Sequence, residues 1–123
     1  MSYDWVTARF GCSSSNAFQT LAEMVKVEVS TANELLSPER VFLVNVHPKE
    51  IIVVRTHPKE RVATIVFEFS STDISVRSGD KQPFLRAVPS LHADGECMFE
   101  VEGHSLKLWQ VSRKALEQLF FGD

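Results

Sequence analysis

The sequence lacks most of the features by which a function is usually recognised. Its 123 residues include only two cysteines, and no apolar run approaches the roughly 20 residues that cross a bilayer. The lysines and arginines are dispersed among acidic neighbours and the formal net charge is −3, which argues against nucleic acid as a partner, since proteins that bind it display clustered cations. Asp4 lies where a signal peptide would carry its basic start. These absences predict a soluble, cytoplasmic protein whose partners include neither nucleic acid nor a membrane.

Motifs for catalysis, nucleotide binding and metal binding are also absent from the sequence. The serines at positions 13–15 lie outside a G-x-S-x-G elbow, and residues 11–16 lack the lysine and the glycine spacing of a phosphate-binding loop. Free backbone amides before a helix leave anion binding open as an alternative there, although helix capping is the favoured interpretation. No catalytic residue and no cofactor is predicted.

The two cysteines lie far apart in the sequence and in different surroundings. A chain of this length buries roughly two-thirds of its unfolded surface, so it needs no disulfide to be stable. Cys97 shares one strand face with Phe99 and Val101, which is typical of a small buried hydrophobic residue in a strand. Cys12 lies in a serine-rich loop, where a reactive thiol is an alternative. A disulfide between them stays open, but a reducing compartment disfavours it.

The tetrapeptide His-Pro-Lys-Glu occurs twice, beginning at His47 and at His57. Each copy predicts a hairpin connection, because proline presets a turn position. Successive hairpin turns lie at opposite ends of a strand, roughly 20 Å apart, whereas zinc ligands lie within about 2 Å of the ion. In a meander His47 would share an end of the sheet with His92, and His57 with His104. A metal at either pair is an open alternative, but solvated histidines are favoured and no metal site is predicted.

Two stretches predict helices at the ends of the chain. Residues 16–36 repeat apolar side chains at helical spacing, begin with a capping-box pattern at Asn16 and end before Pro38. Val27 belongs to a strand-like alternation within this helix and is predicted to lie off its apolar stripe. Residues 112–121 predict a short C-terminal helix capped by Ser112.

The segment of residues 1–15 is predicted to contain one helical turn, over residues 4–10. Asp4 would cap this turn, the glycine at position 11 would end it, and Trp5 would anchor it to the core.

Alternating apolar and polar residues predict an antiparallel meander of about six or seven strands over residues 41–110. The predicted strands are residues 41–46, 51–55, 62–69, 73–77, 85–91, 96–102 and 106–110. The stretch 61–77 forms their centre, and Pro89 requires an edge or a bulge. The ordinary content of 44% hydrophobic and 24% charged residues favours one folded domain over residues 1–123. The predicted fold class is α+β, with the long N-terminal helix packed on the sheet and a short C-terminal helix.

The first three strands are apolar on both faces, and one helix covers only one face. The other face would leave an apolar patch of several hundred Å², which soluble monomers seldom expose. Phe120 and Phe121 are adjacent, so a helix cannot bury both against one flat surface. The candidate interface residues are Phe42, Val44, Val46, Ile52, Val54, Val62, Val66 and Phe121.

The sequence therefore favours a non-enzymatic protein-interaction or assembly module that homodimerises through an apolar sheet face, with a second copy or another protein as partner. The alternative is a binding module for an apolar small molecule held between helix and sheet. A hydrolytic or metal-dependent enzyme has the least support.

Overall fold

The structure is a computed structural model that describes residues 3–122. Within these residues it contains three α-helices and seven β-strands, with one 3-10 turn at Lys59–Arg61. The helices are α1 (Trp5–Gly11), α2 (Ser14–Leu36) and α3 (Leu108–Phe121). The strands are β1 (Val41–Val46), β2 (Glu50–His57), β3 (Ala63–Phe69), β4 (Ile74–Ser78), β5 (Leu85–Leu91), β6 (Cys97–Val101) and β7 (His104–Leu106).

The seven strands form one antiparallel sheet in which each strand pairs with the next in sequence order. α2 and α3 lie side by side on one face of this sheet and contact each other. We call the sheet face toward α2 and α3 the inner face and the opposite one the outer face. The predicted α+β fold, with a long N-terminal helix, an antiparallel meander and a short C-terminal helix, is confirmed.

The hydrophobic core lies between the inner face and the two helices. From α2 it receives the stripe predicted from the sequence, including Phe18, Leu21 and Val25, while Val27 is exposed, as its position off the stripe predicts. The strands contribute alternate residues, as a sheet with one packed face requires. These inner residues are Ile51, Val53, Ile65, Phe67, Ile74, Val76, Leu85, Ala87, Phe99 and Val101.

Two arginines hold the C-terminal end of α3 against the sheet. Arg55 lies on the inner face of β2 and is only 6% exposed. Its Nη1 donates to the carbonyl oxygen of Leu119 at 3.0 Å and its Nε to that of Arg61 at 2.8 Å. Arg40 Nη1 donates to the carbonyl oxygen of Phe120 at 2.9 Å. The bonds to Leu119 and Phe120 satisfy carbonyls that a helix end leaves without partners and place positive charge at the negative end of the helix dipole.

Both edge strands of the sheet are limited in how much free backbone they present. On β1, the side chain of Asn33 from α2 accepts from the backbone N–H of Phe42 at 2.8 Å and donates to its carbonyl oxygen at 3.0 Å. On the other edge, β7 is only three residues long. Occupied or short edges reduce pairing with other chains.

The N-terminal segment differs from the prediction in one contact. α1 forms with Asp4 as its cap, since the Asp4 carboxylate accepts from the backbone N–H of Thr7 at 3.1 Å. Trp5, however, is 63% exposed, so the prediction that it anchors the segment in the core is wrong. The anchor is instead Cys12, which is buried directly after the helix.

The first residues of α2 and α3 also differ from the predicted ones. α2 begins at Ser14 with Ser13 as its cap, while Asn16, the predicted cap, donates from its side chain to the carbonyl oxygen of Phe10 at 3.1 Å. α3 begins at Leu108, and a Gln110 side chain caps it by accepting from the backbone N–H of Lys107 at 2.8 Å. The predicted strand over residues 106–110 is therefore mostly helix, and Ser112 lies inside α3.

Pro89 lies at a local edge of the sheet, as its missing N–H requires. β5 pairs with β4 only through residues 85–87, whereas its pairing with β6 extends from residue 88 to residue 91. Pro89 therefore lies where β5 has a neighbour on one side alone, which is locally an edge.

The two cysteines form a disulfide, contrary to the expectation of reduced thiols. Cys12 lies between α1 and α2, and Cys97 is the first residue of β6. Their Cα atoms are 5.4 Å apart, and 85 residues separate them in the sequence. The bond ties the start of α2 to the sheet, where Ser14 also donates a hydrogen bond to the carbonyl oxygen of Ser70.

Candidate functional site

The outer face of β1, β2 and β3 carries a contiguous group of apolar side chains. Leu43 pairs directly with Val54, and Ile52 pairs with Val66. We call these four residues the outer strip. Leu43 is 56% exposed, while Ile52 and Val54 are half-buried. Val66 is only 4% exposed and has Ile52 on one side and Arg77 on the other. α2 and α3 both pack on the inner face, so the outer strip faces away from them.

The structure divides the predicted interface residues between two faces of the sheet. Ile52, Val54 and Val66 lie on the outer face, and Val62 is exposed just before β3. The three residues from β1, which are Phe42, Val44 and Val46, share the inner face with Ile51, Val53 and Arg55.

Phe42 is therefore a core residue and cannot take part in an interface on the outer face. It is 1% exposed, and its ring centroid lies 4.8 Å from that of Phe120. Val44 packs against the core, and Val46 is partly exposed at the end of its strand. The prediction that these residues share one surface with Ile52 and Val54 is corrected. Leu43, which the prediction omitted, occupies the outer position beside Val54.

Phe121 lies on the helix side of the molecule, away from the outer strip. It is 66% exposed while Phe120 is buried, in agreement with the expectation that only one of the two can enter the core. Phe121 lines an apolar groove of about 390 Å³ between α2 and α3. We call this groove the helix groove. Its walls are mostly aliphatic and aromatic, and include Val27, Leu35, Leu36, Leu116 and Phe121.

Two carboxylates, those of Glu28 and Glu117, also line the helix groove. Glu28 of α2 accepts a hydrogen bond from the hydroxyl of Ser112, which is buried inside α3. Burial raises the pKa of the Glu28 carboxyl above its ordinary value, and the bond from Ser112 opposes this shift only in part. The surroundings of Glu28 therefore disfavour its charged form.

The outer face beyond the outer strip is charged with both signs. Arg77 on β4 donates from Nε to Glu68 Oε1 at 2.6 Å and lies 3.5 Å, through Nη2, from Glu50 Oε2. Arg86 Nε lies 3.2 Å from Asp73 Oδ2. Each acidic group therefore has a basic neighbour, and this half of the face carries paired rather than clustered charge.

A serine, a histidine and a glutamate meet at one end of the outer face. Ser105 Oγ donates to Glu100 Oε1 at 2.6 Å, and His92 Nε2 lies 3.3 Å from the same oxygen and 3.4 Å from the serine hydroxyl. The hydrogen bond from Ser105, with a smaller effect from His92, lowers the pKa of the Glu100 carboxyl. A hydrolytic triad places the imidazole between serine and carboxylate through its two different nitrogens. Here one nitrogen meets both groups and the serine proton is directed to the carboxylate, so the triad geometry is absent from this cluster.

The histidine pairs considered for a metal lie across the width of the sheet. His47 follows β1 and His92 follows β5, four strands away, or roughly 19 Å at the usual strand spacing. Within residues 3–122 no group of three or more His, Cys, Asp or Glu side chains is arranged to hold a metal ion.

The described helices include none with the length and apolar character needed to traverse a bilayer. Comparison with known proteins gives no relative: no protein-family model, no curated protein and no solved structure matches the chain.

Proposed function

We propose that this protein is a non-enzymatic assembly module that pairs with a second copy of itself through the outer face of its sheet. The observation that carries the proposal is the outer strip, in which Leu43, Ile52 and Val54 stay accessible on a face that neither α2 nor α3 covers. Apolar side chains on a sheet face are stabilised when a second layer covers them.

The size of the face favours another sheet as the covering layer. With strands about 4.8 Å apart and roughly 20 Å long, β1 to β3 present a planar footprint of roughly 300 Å² and all seven strands roughly 650 Å². A stable interface buries about 800 Å² on each partner. A partner must therefore reach beyond the outer strip, and two sheets that pack face to face about 10 Å apart do so.

The charge on the face favours an identical partner. In a twofold-symmetric pair each surface must be complementary to itself. The Arg77 and Arg86 clusters place both signs of charge beside the outer strip, so a rotated copy can align apolar with apolar side chains and basic with acidic ones. Pairing with a different protein is the other form of this proposal.

The test compares the mass in solution of the parent with that of two lysine variants. Leu43→Lys introduces a charge into the outer strip, while the control Val27→Lys introduces the same charge at an exposed valine on the opposite layer. Light scattering should give twice the chain mass for the parent and the control. Because a twofold pair contains Leu43 twice and each buried leucine contributes at least about 1.5 kcal/mol, Leu43→Lys should weaken pairing by roughly a hundredfold. A monomeric parent at high concentration, or an unaffected Leu43→Lys dimer, contradicts the proposal.

A second candidate function, the binding of an apolar small molecule, is favoured by the helix groove. The sequence places such a ligand between helix and sheet, but that layer holds the core side chains. The helix groove lies between α2 and α3, and its volume of about 390 Å³ falls within the range of small-molecule sites. A co-purified ligand seen by native mass spectrometry would support this second candidate.

The disulfide bears directly on the proposed cytoplasmic location. Cytosolic thiols are kept reduced, so a cytoplasmic protein should carry Cys12 and Cys97 as free thiols in the cell. Alkylation during cell lysis, followed by peptide mass analysis, separates the two states. Modification of both cysteines supports the cytoplasm, and absence of modification supports an oxidising compartment.

A further inference from the structure

The helix groove combines apolar walls with a single acidic group that has no cationic partner within the described residues. Glu28 accepts from Ser112, but none of the ion pairs of residues 3–122 includes Glu28. The groove is also lined by Arg113 and Glu117, which pair with each other one helical turn apart at 3.4 Å. The Arg113 guanidinium at the groove is thus directed to the Glu117 carboxylate.

This arrangement favours one class of ligand by charge. A partly buried carboxylate without an opposite charge is unfavourable, and a cation placed beside it offsets part of that cost. Hydrogen bonds between charged groups are also stronger than those between neutral groups. An anionic ligand would face repulsion from Glu28, while a neutral apolar ligand would leave the carboxylate as it is.

The shape of the groove favours a ligand with an extended apolar part. Val27, Leu35 and Phe121 are exposed along the groove, and Leu116 lies at its base. Hydrocarbon laid against them would remove apolar surface from water on both sides.

We propose that the helix groove binds an apolar molecule that carries one amine, with its ammonium group on Glu28 and its hydrocarbon part against Leu116 and Phe121. The inference deepens the second candidate function, on which it rests, and is independent of pairing through the outer face. Ser112 would act as a positioning residue, because its hydroxyl holds one oxygen of the Glu28 carboxylate.

Calorimetric titration of the full chain with octylamine, octanol and octanoate tests the charge preference. These probes share one hydrocarbon chain and differ in the head group, which is cationic, neutral or anionic at neutral pH. We expect octylamine to bind roughly tenfold to a hundredfold more tightly than octanol, and octanoate to bind most weakly. Amide NMR shifts on octylamine addition should centre on α2 and α3.

Variants then assign the preference to one carboxylate. Glu28→Gln keeps an acceptor for Ser112 and should abolish the preference for octylamine. Glu23→Gln removes the same charge from the exposed side of α2, where Glu23 pairs with Lys26, and should preserve it. Thr31→Trp, at an exposed position of the groove, should weaken all three probes whatever the fate of the Glu28 variant.

Three results would overturn the inference. Equal binding of octylamine and octanol would refute the charge preference while leaving the second candidate function in place. Absence of binding by all three probes would refute both. An octylamine preference that persists in Glu28→Gln would show attraction to the net negative charge of the chain rather than to this carboxylate.

Discussion

Reduction of the Cys12–Cys97 disulfide should lower the free energy of unfolding by about 4.6 kcal/mol. The bond closes a loop with a sequence separation of 85 residues, and the loss of chain entropy in the unfolded state grows with the logarithm of that length. A typical domain has a total of about 5–15 kcal/mol, so this one bond would supply about 30% or more of the stability. The reduced protein is expected to be folded but close to its unfolding threshold.

Urea titration followed by circular dichroism measures the effect, with and without a reducing agent. The double variant Cys12→Ser with Cys97→Ser serves as the control, because its unfolding should be insensitive to the reductant and should resemble that of the reduced parent. Thiol labelling of the parent in denaturant without a reductant should detect no free thiol.

Two outcomes would refute this reasoning. Detection of two free thiols in the unreduced, denatured parent would show that the bond does not form. An unchanged urea midpoint on reduction, with the bond shown to be intact beforehand, would show that the loop contributes no stability.

Three further substitutions test two contacts that position α3 and β1 and one buried carboxylate. Arg55→Met removes the bonds to the carbonyl of Leu119 at the end of α3 and to that of Arg61 before β3, and should cost about 2–4 kcal/mol by urea titration, whereas Arg61→Met, at an exposed side chain, should cost under about 1 kcal/mol. Asn33→Ala removes two bonds to β1 and should cost about 1–3 kcal/mol, against little change for the exposed Asn45→Ala; equal midpoints for the two would contradict the edge contact. Because burial raises the pKa of the Glu28 carboxyl, the parent should lose stability as the pH rises from the ordinary pKa of 4.5 through the raised pKa. The free energy of unfolding of Glu28→Gln should therefore increase relative to that of the parent over this pH range. A difference in urea midpoint that does not change with pH would refute this.

The helices and strands were predictable where local patterns agreed with one another. α2 contains a strand-like run of valines, but its caps, its length and its apolar stripe all favour a helix. The start of α3 was not predictable in this way, because Leu106 and Leu108 alternate like strand residues. The N-cap of α3 is Lys107, which is outside the usual N-cap residues, and only the Gln110 side chain, which accepts from the Lys107 N–H, follows the capping-box pattern.

The apolar outer face was predictable in kind but not residue by residue. In β1 five of six residues are apolar, so its sequence does not indicate which side faces inward. A shift of one residue in register exchanges the two faces. The pairing of β1 with β2, in which Leu43 lies opposite Val54, decides which side of β1 faces outward. The prediction therefore placed Phe42 on the interface and omitted Leu43.

The helix groove and the disulfide had no local signal in the sequence. Glu28 and Ser112 are 84 residues apart, and Cys12 and Cys97 are 85 apart. Neither pair shows a spacing that predicts contact, because each depends on how α3 or β6 packs against the N-terminal part of the chain.

Intermolecular NMR contacts test the central claim, that a second copy covers the outer strip, most directly. A sample that mixes isotope-labelled with unlabelled chains reports only contacts between different molecules. The proposal predicts such contacts to the methyl groups of Leu43, Ile52 and Val54, and none to those of Val27 on the helix side. A sample without intermolecular contacts at high concentration, or with contacts confined to the helix side, would contradict it.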